Sequence, residues 1–516
     1  MKNILLSCTS ELELRAFRDL QSEGEVKIQG LASWGIQSNS YPKAGLEFGH
    51  LFFHSEILAW SKEPSMHAEK TKSLFGIDEL KKFETYERDY YMMLDRSDTL
   101  ASMTLRERRE SFIFTVEYWL GVIKGLMPDV VYFSGTPHEA SDFALFACCE
   151  VLGIKTLMWQ EFYLVDGKVL TRNWKAPWVN QLENSPANSI SVSPEEFVNR
   201  YRADYKSAEP AYNKVAKRET AVLNGPGLSL LKIGRIAKVT GAGLRGLLTE
   251  WKVSITRSRE LFGLALISAF LWEILLKTLI GLQMLKIAGE VRIARRSLSR
   301  HVLSKIPEEK FIVYFLHYEP ELTVVPMGWV GGDQYIAIAS LVKNLPDGWQ
   351  VVVREHPAQY AQSFAGYFTG RNKDFYNRIL GIGRVSFVSN EIDTFDLIDK
   401  CEFVSTITGT VGWEALVRGK PSVIFGDAWY SEAPGLQVCK SEDDLKSFMR
   451  KICSAPIGLM GASKNGEIAT YVRKLFQQFD KIVLDPETAQ LNDTEFDLQG
   501  SGHNLKERLR EAFRIL

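Results

Sequence analysis

The chain has 516 residues, of which 45% are hydrophobic and 24% are charged. This length predicts two to four domains of about 100–200 residues each, and the hydrophobic content excludes a disordered chain. The net charge of −1 gives no sign of a polyanionic partner. The six cysteines include no C-x-x-C pair, and no histidine cluster has metal-ligand spacing. We therefore expect buried thiols in a reducing compartment and no metal.

Residues 1–205 predict a Rossmann-like domain. Apolar runs at 4–7 and 26–32 are typical of buried strands, and residues 75–126 are mainly helical in pattern. A strand at 129–133, a helix over 142–152, Gly153 and a strand at 154–159 follow in order. This succession is typical of a βαβ unit, so we expect a parallel, doubly wound sheet. The first apolar run is too short for a signal peptide, which favours a cytoplasmic protein.

Residues 309–455 repeat this alternation and predict a second Rossmann-like domain. We expect strands at 311–316, 350–353, 385–388, 403–406 and 422–425, with helices at 334–344, 375–380, 394–400 and 414–418. Residues 456–516 then form C-terminal helices and a tail. The fold class is therefore α/β, with the polar strand ends of two domains facing each other across a cleft.

Residues 206–308 form an insert of different character. Between 211 and 310 there are 18 Lys and Arg against seven Glu, a net charge of +11, and the stretch 261–285 is apolar except for Glu273 and Lys277. A membrane span is disfavoured by these two charges. A soluble helical hairpin between the domains is a second interpretation. An amphipathic segment that lies in the membrane surface fits the basic flanks best.

Two strand ends in the second domain indicate an anion site, because ligands bind at the carboxyl ends of strands in open α/β sheets. One carries Arg354, Glu355, His356 and Pro357. The other is a turn of small polar residues that runs into a helix, with Ser405, Thr406, Thr408, Gly409, Thr410, Gly412 and Glu414. Free N–H groups and hydroxyls at such a turn favour a phosphate or carboxylate. His356 can donate to a phosphate oxygen, more strongly when protonated, and Pro357 fixes the backbone.

A third strand end extends the same predicted site. His317 and Glu319 follow the first strand of the second domain in the run 317–321, which has two acids, a histidine and a proline. We expect both residues to contribute to donor binding. Asp333 and Gln334 open the next helix and are interpreted as caps. Glu414 has two open interpretations, as a ribose ligand or as a first-turn acid that favours the helix dipole.

The first domain offers candidates for a general base. His138, Glu139 and Asp142 follow the strand at 129–133, and Glu161 ends the next strand. One of them is expected to take a proton from an acceptor hydroxyl, and we name His138, Glu139 and Glu161 as the catalytic candidates. Ser141 or Asp142 is equally well explained as a helix N-cap.

These motifs resemble the bacterial capsule polysaccharide biosynthesis family, which includes capsular Kdo transferases and related nonulosonic acid transferases. The resemblance rests on three segments: residues 316–321, residues 354–357, and residues 408–416 together with the following Gly419, Lys420 and Pro421. It implies a GT-B-like fold and a CMP-activated sugar acid donor. It also implies that His356, Ser405, Thr406, Thr408, Gly409 and Thr410 contact the nucleotide phosphate, and it identifies neither the base nor the sugar.

The sequence thus predicts a glycosyltransferase that transfers Kdo or a sialic-like acid from a CMP-linked donor to a glycan or lipid-linked acceptor. No cofactor beyond the nucleotide sugar is expected. Partners would be the inner face of the cytoplasmic membrane, through 211–310, and capsule assembly proteins. Nucleic acid is not expected, because the basic region is interleaved with Leu and Ile rather than stacking aromatics. Two alternatives stay open: a CDP-polyol phosphate transferase of the teichoic-acid type, and a non-catalytic scaffold of capsule assembly.

Overall fold

The structure is a computed structural model. It describes residues 1–7, 10–34, 45–71, 75–98, 102–162, 167–175, 192–202, 286, 289–290, 292–329, 333–360, 370–454, 465–477, 482 and 498–516. Most of the insert, including the apolar stretch 261–285, lies outside these residues, so its predicted helices and membrane contact stay predictions. Within the described residues, no helix has the length and apolar character needed to cross a membrane.

The first domain is built on a six-stranded sheet with the order β3-β2-β1-β4-β5-β6. Its strands are β1 (Lys2–Ser7), β2 (Val26–Ser33), β3 (His50–Phe53), β4 (Val130–Phe133), β5 (Lys155–Phe162) and β6 (Gly167–Thr171). All neighbours are parallel except β5 and β6. This order reverses between β1 and β4, as in the doubly wound Rossmann sheet.

Helices cover the first sheet and follow from local sequence signals. They are α1 (Glu11–Ser22), α2 (His54–Ser61), α3 (Ile77–Ser97), α4 (Leu105–Leu126), α5 (Ala140–Leu152) and α6 (Pro194–Asn199). Thr104 caps α4 by accepting the N–H of Glu107, and Gly153 ends α5 in the left-handed conformation at φ 69°, where glycine carries no side-chain penalty. The sequence interpretation missed α1, α2, α6, β3 and the antiparallel strand β6.

The second domain is built on a seven-stranded parallel sheet with the order β13-β12-β11-β8-β9-β10-β7. Its strands are β7 (Val302–Leu303), β8 (Phe311–Phe315), β9 (Gln350–Arg354), β10 (Val385–Val388), β11 (Val404–Thr406), β12 (Ser422–Ile424) and β13 (Leu436–Val438). Apart from the edge strand β7, the order repeats that of the first sheet and reverses between β8 and β11. Strand β8 is buried along its whole length, as expected when helices cover both faces.

The remaining helices pack on the second sheet or return to the first domain. They are α7 (Gln334–Asn344), α8 (Phe375–Leu380), α9 (Thr394–Lys400), α10 (Val411–Val417), α11 (Glu442–Ser454), α12 (Asn465–Phe476) and α13 (Leu498–Ile515). Three of them, α7, α8 and α9, have the predicted bounds. Helix α10 begins three residues earlier than predicted, because the polar turn before it already adopts helical geometry at Thr410, with φ −57° and ψ −21°.

The two domains are in contact at the carboxyl ends of their sheets. Arg96, near the end of α3, donates hydrogen bonds to the carbonyl oxygens of His138, after β4, and of Val325, after β8. Phe197 of α6 also stacks on Trp413 of α10, with ring centroids 5.6 Å apart. The prediction of two Rossmann-like, doubly wound domains is therefore confirmed, and their polar strand ends meet.

Candidate functional site

The predicted donor-binding residues converge on the point where the strand order of the second sheet reverses. His317 follows β8, and Thr406 and Thr408 lie at the end of the neighbouring strand β11. In open α/β sheets the crevice at such a reversal is the usual ligand site. The structure therefore brings together residues that are about ninety positions apart in sequence.

His317 joins these two strand ends through its ring. Its Nε2 accepts the backbone N–H of Thr408 at 3.1 Å and lies 3.1 Å from the Thr406 hydroxyl oxygen. Because Nε2 is an acceptor, the ring proton is on Nδ1, which lies 3.1 Å from the Thr323 hydroxyl oxygen. Burial, with added repulsion from His356 and Arg371, lowers the pKa of His317 to about 3. His317 is thus a neutral ring that fixes the turn at 406–408.

Gln334 holds the backbone of His317 and does not act as a helix cap. Its Oε1 accepts the N–H of His317 at 2.7 Å, and its Nε2 donates to the His317 carbonyl at 3.1 Å. Asp333 is the cap, because its carboxylate accepts the N–H groups of Tyr335 and Ile336. The interpretation of Gln334 as a cap is therefore wrong. Adjacent polar residues at a helix start give no sequence signal that separates the two roles.

Arg371 is the central cation of the second domain's site and was not found from the sequence. It is 1% exposed. Its Nε and Nη2 donate to the two carboxylate oxygens of Glu355 at 2.9 and 3.0 Å, its Nη1 pairs with Glu319, and its Nη2 also donates to the His317 carbonyl at 2.6 Å. A lone arginine outside any motif gives no signal for this role.

Glu355 and Glu319 therefore serve first as partners of Arg371. Glu355 also accepts the N–H of His356 at 2.7 Å and the hydroxyl of Tyr376, so both of its oxygens are engaged. Burial raises the pKa of Glu319 to about 6 against the opposing effect of Arg371. The two carboxylates hold the ends of β8 and β9 together around one guanidinium.

His356 and Pro357 are partly exposed, unlike most of the predicted donor residues. The His356 ring lies 5.0 Å from the ring of Tyr318. Burial and the nearby Arg371 lower the pKa of His356 to about 3, so the imidazole is neutral at physiological pH. It can offer a ring N–H to a phosphate oxygen, but the expected strengthening by protonation does not apply at that pH. Arg354 is buried and donates to the Asn390 carbonyl at 3.1 Å.

The polar turn after β11 divides into a buried part and an accessible part. Ser405, Thr406, Thr408, Gly412 and Glu414 are buried, whereas Gly409 and Thr410 are partly exposed. Thr408 donates its hydroxyl proton to the Thr323 carbonyl at 2.8 Å, and the hydroxyl of Tyr430 donates to the Gly409 carbonyl. The accessible rim of the site is therefore formed by Tyr318, His356, Pro357, Gly409 and Thr410.

Gly412 is required by close packing. A Cβ atom at this position would lie 2.9 Å from the Ser422 hydroxyl oxygen and still closer to the hydroxyl of Tyr430. Glu414 is fully buried, and its charge contributes to raising the pKa of Tyr430 and Tyr201, after burial itself. Its carboxylate thus lies among tyrosines inside the domain, and the structure does not bring it to the accessible rim.

Glu321 is the second acid of the run 317–321 and was not among the predicted donor-binding residues. Its carboxylate accepts the N–H of Thr323 at 2.9 Å and also the Thr323 hydroxyl. Burial raises the pKa of Glu321 to about 7, despite the opposing hydrogen bond from Thr323 and the charge of Arg96. A chain of contacts therefore runs from Glu321 at the domain boundary through Thr323 and His317 to Thr408.

The candidates for a base in the first domain lie close to this boundary. His138 Nδ1 lies 2.7 Å from the Thr136 carbonyl oxygen, so Nδ1 carries the proton and Nε2 keeps its lone pair. The N-cap of α5 is Glu139, so the prediction of Ser141 or Asp142 as the N-cap is wrong; Asp142, in the first turn, accepts the N–H of Glu139 at 2.9 Å and so supports the start of the helix. Burial raises the pKa of Glu139. Glu161 lies in β5, but its side chain is outside the described part of the structure.

Another histidine, His54, occupies the same end of the first sheet. It is fully buried and its ring nitrogens lie 3.1 Å from the Ser7 hydroxyl oxygen and 2.9 Å from that of Ser141. Its ring stacks on Trp34 at 4.8 Å, and burial lowers its pKa to about 3. Both nitrogens are occupied within the core, so His54 has a packing role. The described residues contain no group of three His, Cys, Asp or Glu side chains that could hold a metal ion.

Comparisons with known proteins bear on the second domain. Residues 309–454 match the family described as capsule polysaccharide biosynthesis protein, which confirms the predicted resemblance over that region. The match includes every predicted donor-binding residue. No curated protein matches the chain.

Several solved structures are similar at low sequence identity. UDP-GlcNAc 2-epimerase from Neisseria meningitidis is 10% identical, with 92% of this chain and 99% of that chain covered and a TM-score of 0.24. Thermosulfurimonas dismutans KpsC, a beta Kdo 2,7 transferase, is 9% identical over 79% and 98%, with a TM-score of 0.29. The spinosyn rhamnosyltransferase SpnG is 9% identical over 92% and 97%, with a TM-score of 0.24. At these scores the likenesses identify no activity for this chain.

Proposed function

We propose, from the match of residues 309–454 to the capsule polysaccharide biosynthesis family, that the protein is a glycosyltransferase of capsule synthesis. The observation that carries this proposal is the position of the family-matched polar residues. They lie around the point where the strand order of the second sheet reverses. The candidate bases of the first domain lie across the boundary between the two domains. Donor and acceptor would meet at that boundary.

The donor in this proposal is a CMP-linked sugar acid, either Kdo or a sialic-like nonulosonic acid. Its phosphate would bind at the rim formed by His356, Gly409 and Thr410. His356 would donate a ring N–H, and the buried Arg354 would supply positive potential behind the rim, whereas the charge of Arg371 is compensated by Glu355 and Glu319. The proposal uses no metal ion and no further cofactor. Charge on the departing CMP is then balanced by protein groups alone.

His138 is our choice for the base, because its lone pair is on the Nε2 atom that does not contact the Thr136 carbonyl. Nε2 would take the proton of an acceptor hydroxyl as the acceptor oxygen bonds to the anomeric carbon. The bond between that carbon and the phosphate oxygen breaks, and CMP leaves with the electron pair. Glu139, whose pKa is raised by burial, would assist as a neighbouring proton acceptor. The acceptor is a glycan or a lipid-linked sugar.

The deciding experiment measures CMP release from CMP-Kdo and CMP-sialic acid in the presence of capsule oligosaccharides. We expect His138→Ala to lower kcat by about 10²–10⁴-fold with KM little changed, and His356→Ala to raise KM for the donor. Wild-type rates in the His138 variant would remove it as the base. Exposed His503 provides the control substitution, His503→Ala, which should leave both constants unchanged.

The nucleotide itself separates this proposal from its alternatives. A ligand at 100 times its Kd stabilises the folded state by about 2.7 kcal/mol, so thermal shifts with CMP, CDP and UDP can be compared directly. A CMP shift supports the sugar acid transferase. A shift with CDP alone would indicate the polyol phosphate transferase of the teichoic-acid type, and no shift at all would indicate the non-catalytic scaffold.

A further inference from the structure

The helix over residues 292–301 has one face that is fixed to the second domain. Ala294 is fully buried, Ser297 is 9% exposed, and Leu298 packs against the same hydrophobic cluster. The Ser297 hydroxyl also donates to the Asn377 side-chain oxygen of α8 at 2.7 Å. The chain then enters β7, which pairs with β10 at the edge of the sheet. The orientation of this helix is therefore set by the second domain.

The opposite face of the helix is basic and exposed. Arg292, Arg295, Arg296 and Arg300 are all exposed, and at 100° per residue these positions lie on one side of the helix. Residues 292–301 contain no Asp or Glu. Of the described carboxylates, none lies within ion-pair distance of Arg292, Arg296 or Arg300. We call this surface the arginine face.

The surroundings of the arginine face indicate the kind of partner that it fits. Ile293, beside it, is 53% exposed, and the apolar stretch 261–285 precedes the helix in sequence. A partner that accepts basic and apolar groups side by side is a bilayer with anionic headgroups. A nucleic-acid surface would favour aromatic side chains for base stacking, and residues 292–301 contain no Phe, Tyr or Trp.

We propose that the arginine face binds the anionic phosphate headgroups of a phospholipid bilayer and so holds the second domain at the membrane surface. The planar guanidinium group suits phosphate, because it donates two parallel hydrogen bonds. Each basic residue near an anionic surface tightens binding about fivefold. This inference deepens the proposed function, since a lipid-linked acceptor would be reached from that surface, but lipid binding can be measured without donor or acceptor.

The test is sedimentation of the purified full chain with vesicles of phosphatidylcholine alone or with phosphatidylglycerol added. We expect binding to the anionic vesicles, and a weakening on the order of 100-fold in Arg292→Gln/Arg296→Gln/Arg300→Gln. The matched control is Lys81→Gln/Lys82→Gln/Lys451→Gln, which removes the same charge from exposed positions on α3 and α11 and should bind like the wild type. Rising salt should weaken wild-type binding.

The inference would be overturned by no wild-type binding to anionic vesicles, by equal losses in the arginine and lysine variants, or by equal binding to both kinds of vesicle. Tighter binding to single-stranded RNA than to vesicles, lost in the arginine variant, would also overturn it. Both variants change exposed side chains, so their melting temperatures and their CMP-induced shifts should match the wild type. If lipid binding fails while CMP release persists, only the inference is wrong, and the reverse result refutes only the proposed function.

Discussion

Arg371 and Glu355 form a two-point ion pair in the interior of the second domain, with Nε 2.9 Å from Oε2 and Nη2 3.0 Å from Oε1. The same carboxylate accepts the backbone N–H of His356. The guanidinium therefore positions the partly exposed histidine through Glu355, and it positions His317 through the carbonyl of that residue. Arg371 thus connects His356, after β9, with His317, after β8, without reaching the accessible rim of the proposed phosphate site.

Replacement of Arg371 by methionine should destabilise the protein by about 3–5 kcal/mol, because it leaves the buried Glu355 and the partly buried Glu319 without their cation. Urea unfolding, followed by tryptophan fluorescence, measures this loss. Arg378→Met is the matched control, since Arg378 is exposed and only covers the ring of Tyr335. Equal midpoints for the two variants would contradict the structural role of Arg371.

Replacement of His317 by alanine should loosen the turn at 406–408, since the buried N–H of Thr408 loses its acceptor. We expect a loss of about 2–4 kcal/mol from the unsatisfied donor and the cavity together. The proposed phosphate site should be damaged as well, so the thermal shift caused by CMP should shrink or vanish. A full CMP shift in this variant would show that the turn needs no support from His317.

Gly412→Ala should cost about 1–3 kcal/mol, because the added methyl group overlaps the hydroxyl groups of Tyr430 and Ser422. If that overlap is the cause, Tyr430→Phe should relieve part of the strain. The double variant should then lose less stability than the two single variants lose in sum. Gly121→Ala in α4, where no atom lies within 4 Å of the new Cβ position, is the control and should stabilise the helix slightly. Additive losses at Gly412 and Tyr430 would contradict the overlap.

Glu321 should make stability depend on pH in a defined direction. Its folded-state pKa of about 7 lies above the ordinary value of 4.5, so the folded state binds a proton that the unfolded chain releases between these values. The stabilisation of the folded state by this proton is fully present below the ordinary pKa of 4.5 and is lost as the pH rises through the folded-state pKa of about 7. Glu321→Gln cannot lose the proton, so its stability relative to the wild type should increase from pH 5 to pH 8.

Urea unfolding at each pH from 5 to 8 measures this difference for Glu321→Gln. The control Glu391→Gln changes an exposed carboxylate and should give a difference that does not vary with pH. If the stability difference between Glu321→Gln and the wild type does not vary with pH, the Glu321 carboxylate of the folded wild type is ionised throughout this range.

Much of the second domain was predictable from sequence, because its elements combine strong hydrophobic periodicity with clear start and stop signals. Helix α9, for example, begins after Asp393, whose carboxylate accepts two N–H groups of the first turn. In the first domain, strand β6 was missed. It pairs antiparallel to β5, a connection that the parallel βαβ pattern did not predict.

The candidate site was only partly predictable, since its framework depends on long-range contacts. His317 and Thr406 could be placed at strand ends, but their contact follows from strand order, which the sequence pattern did not give. Arg371 was missed because its role comes from burial and from partners far from it in sequence, Glu319 and Glu355. Glu321 was not named as a site residue because its raised pKa comes from burial, which the sequence does not show. The buried residues Glu355 and Glu414 were predicted to bind the donor together with His356. The sequence shows which residues follow a strand, but not which of their side chains reach the surface.

Helix α13 completes the core of the first domain from the other end of the sequence. Leu505, Leu509 and Phe513 complete the hydrophobic core that contains Ile4, Phe17 and Leu20, and Arg510 pairs with Glu23 and Glu25 after α1. During synthesis, the core around α1 therefore stays open while the ribosome translates the insert and the whole second domain. A deletion that removes α13 would therefore expose the apolar side of α1, at the other end of the sequence.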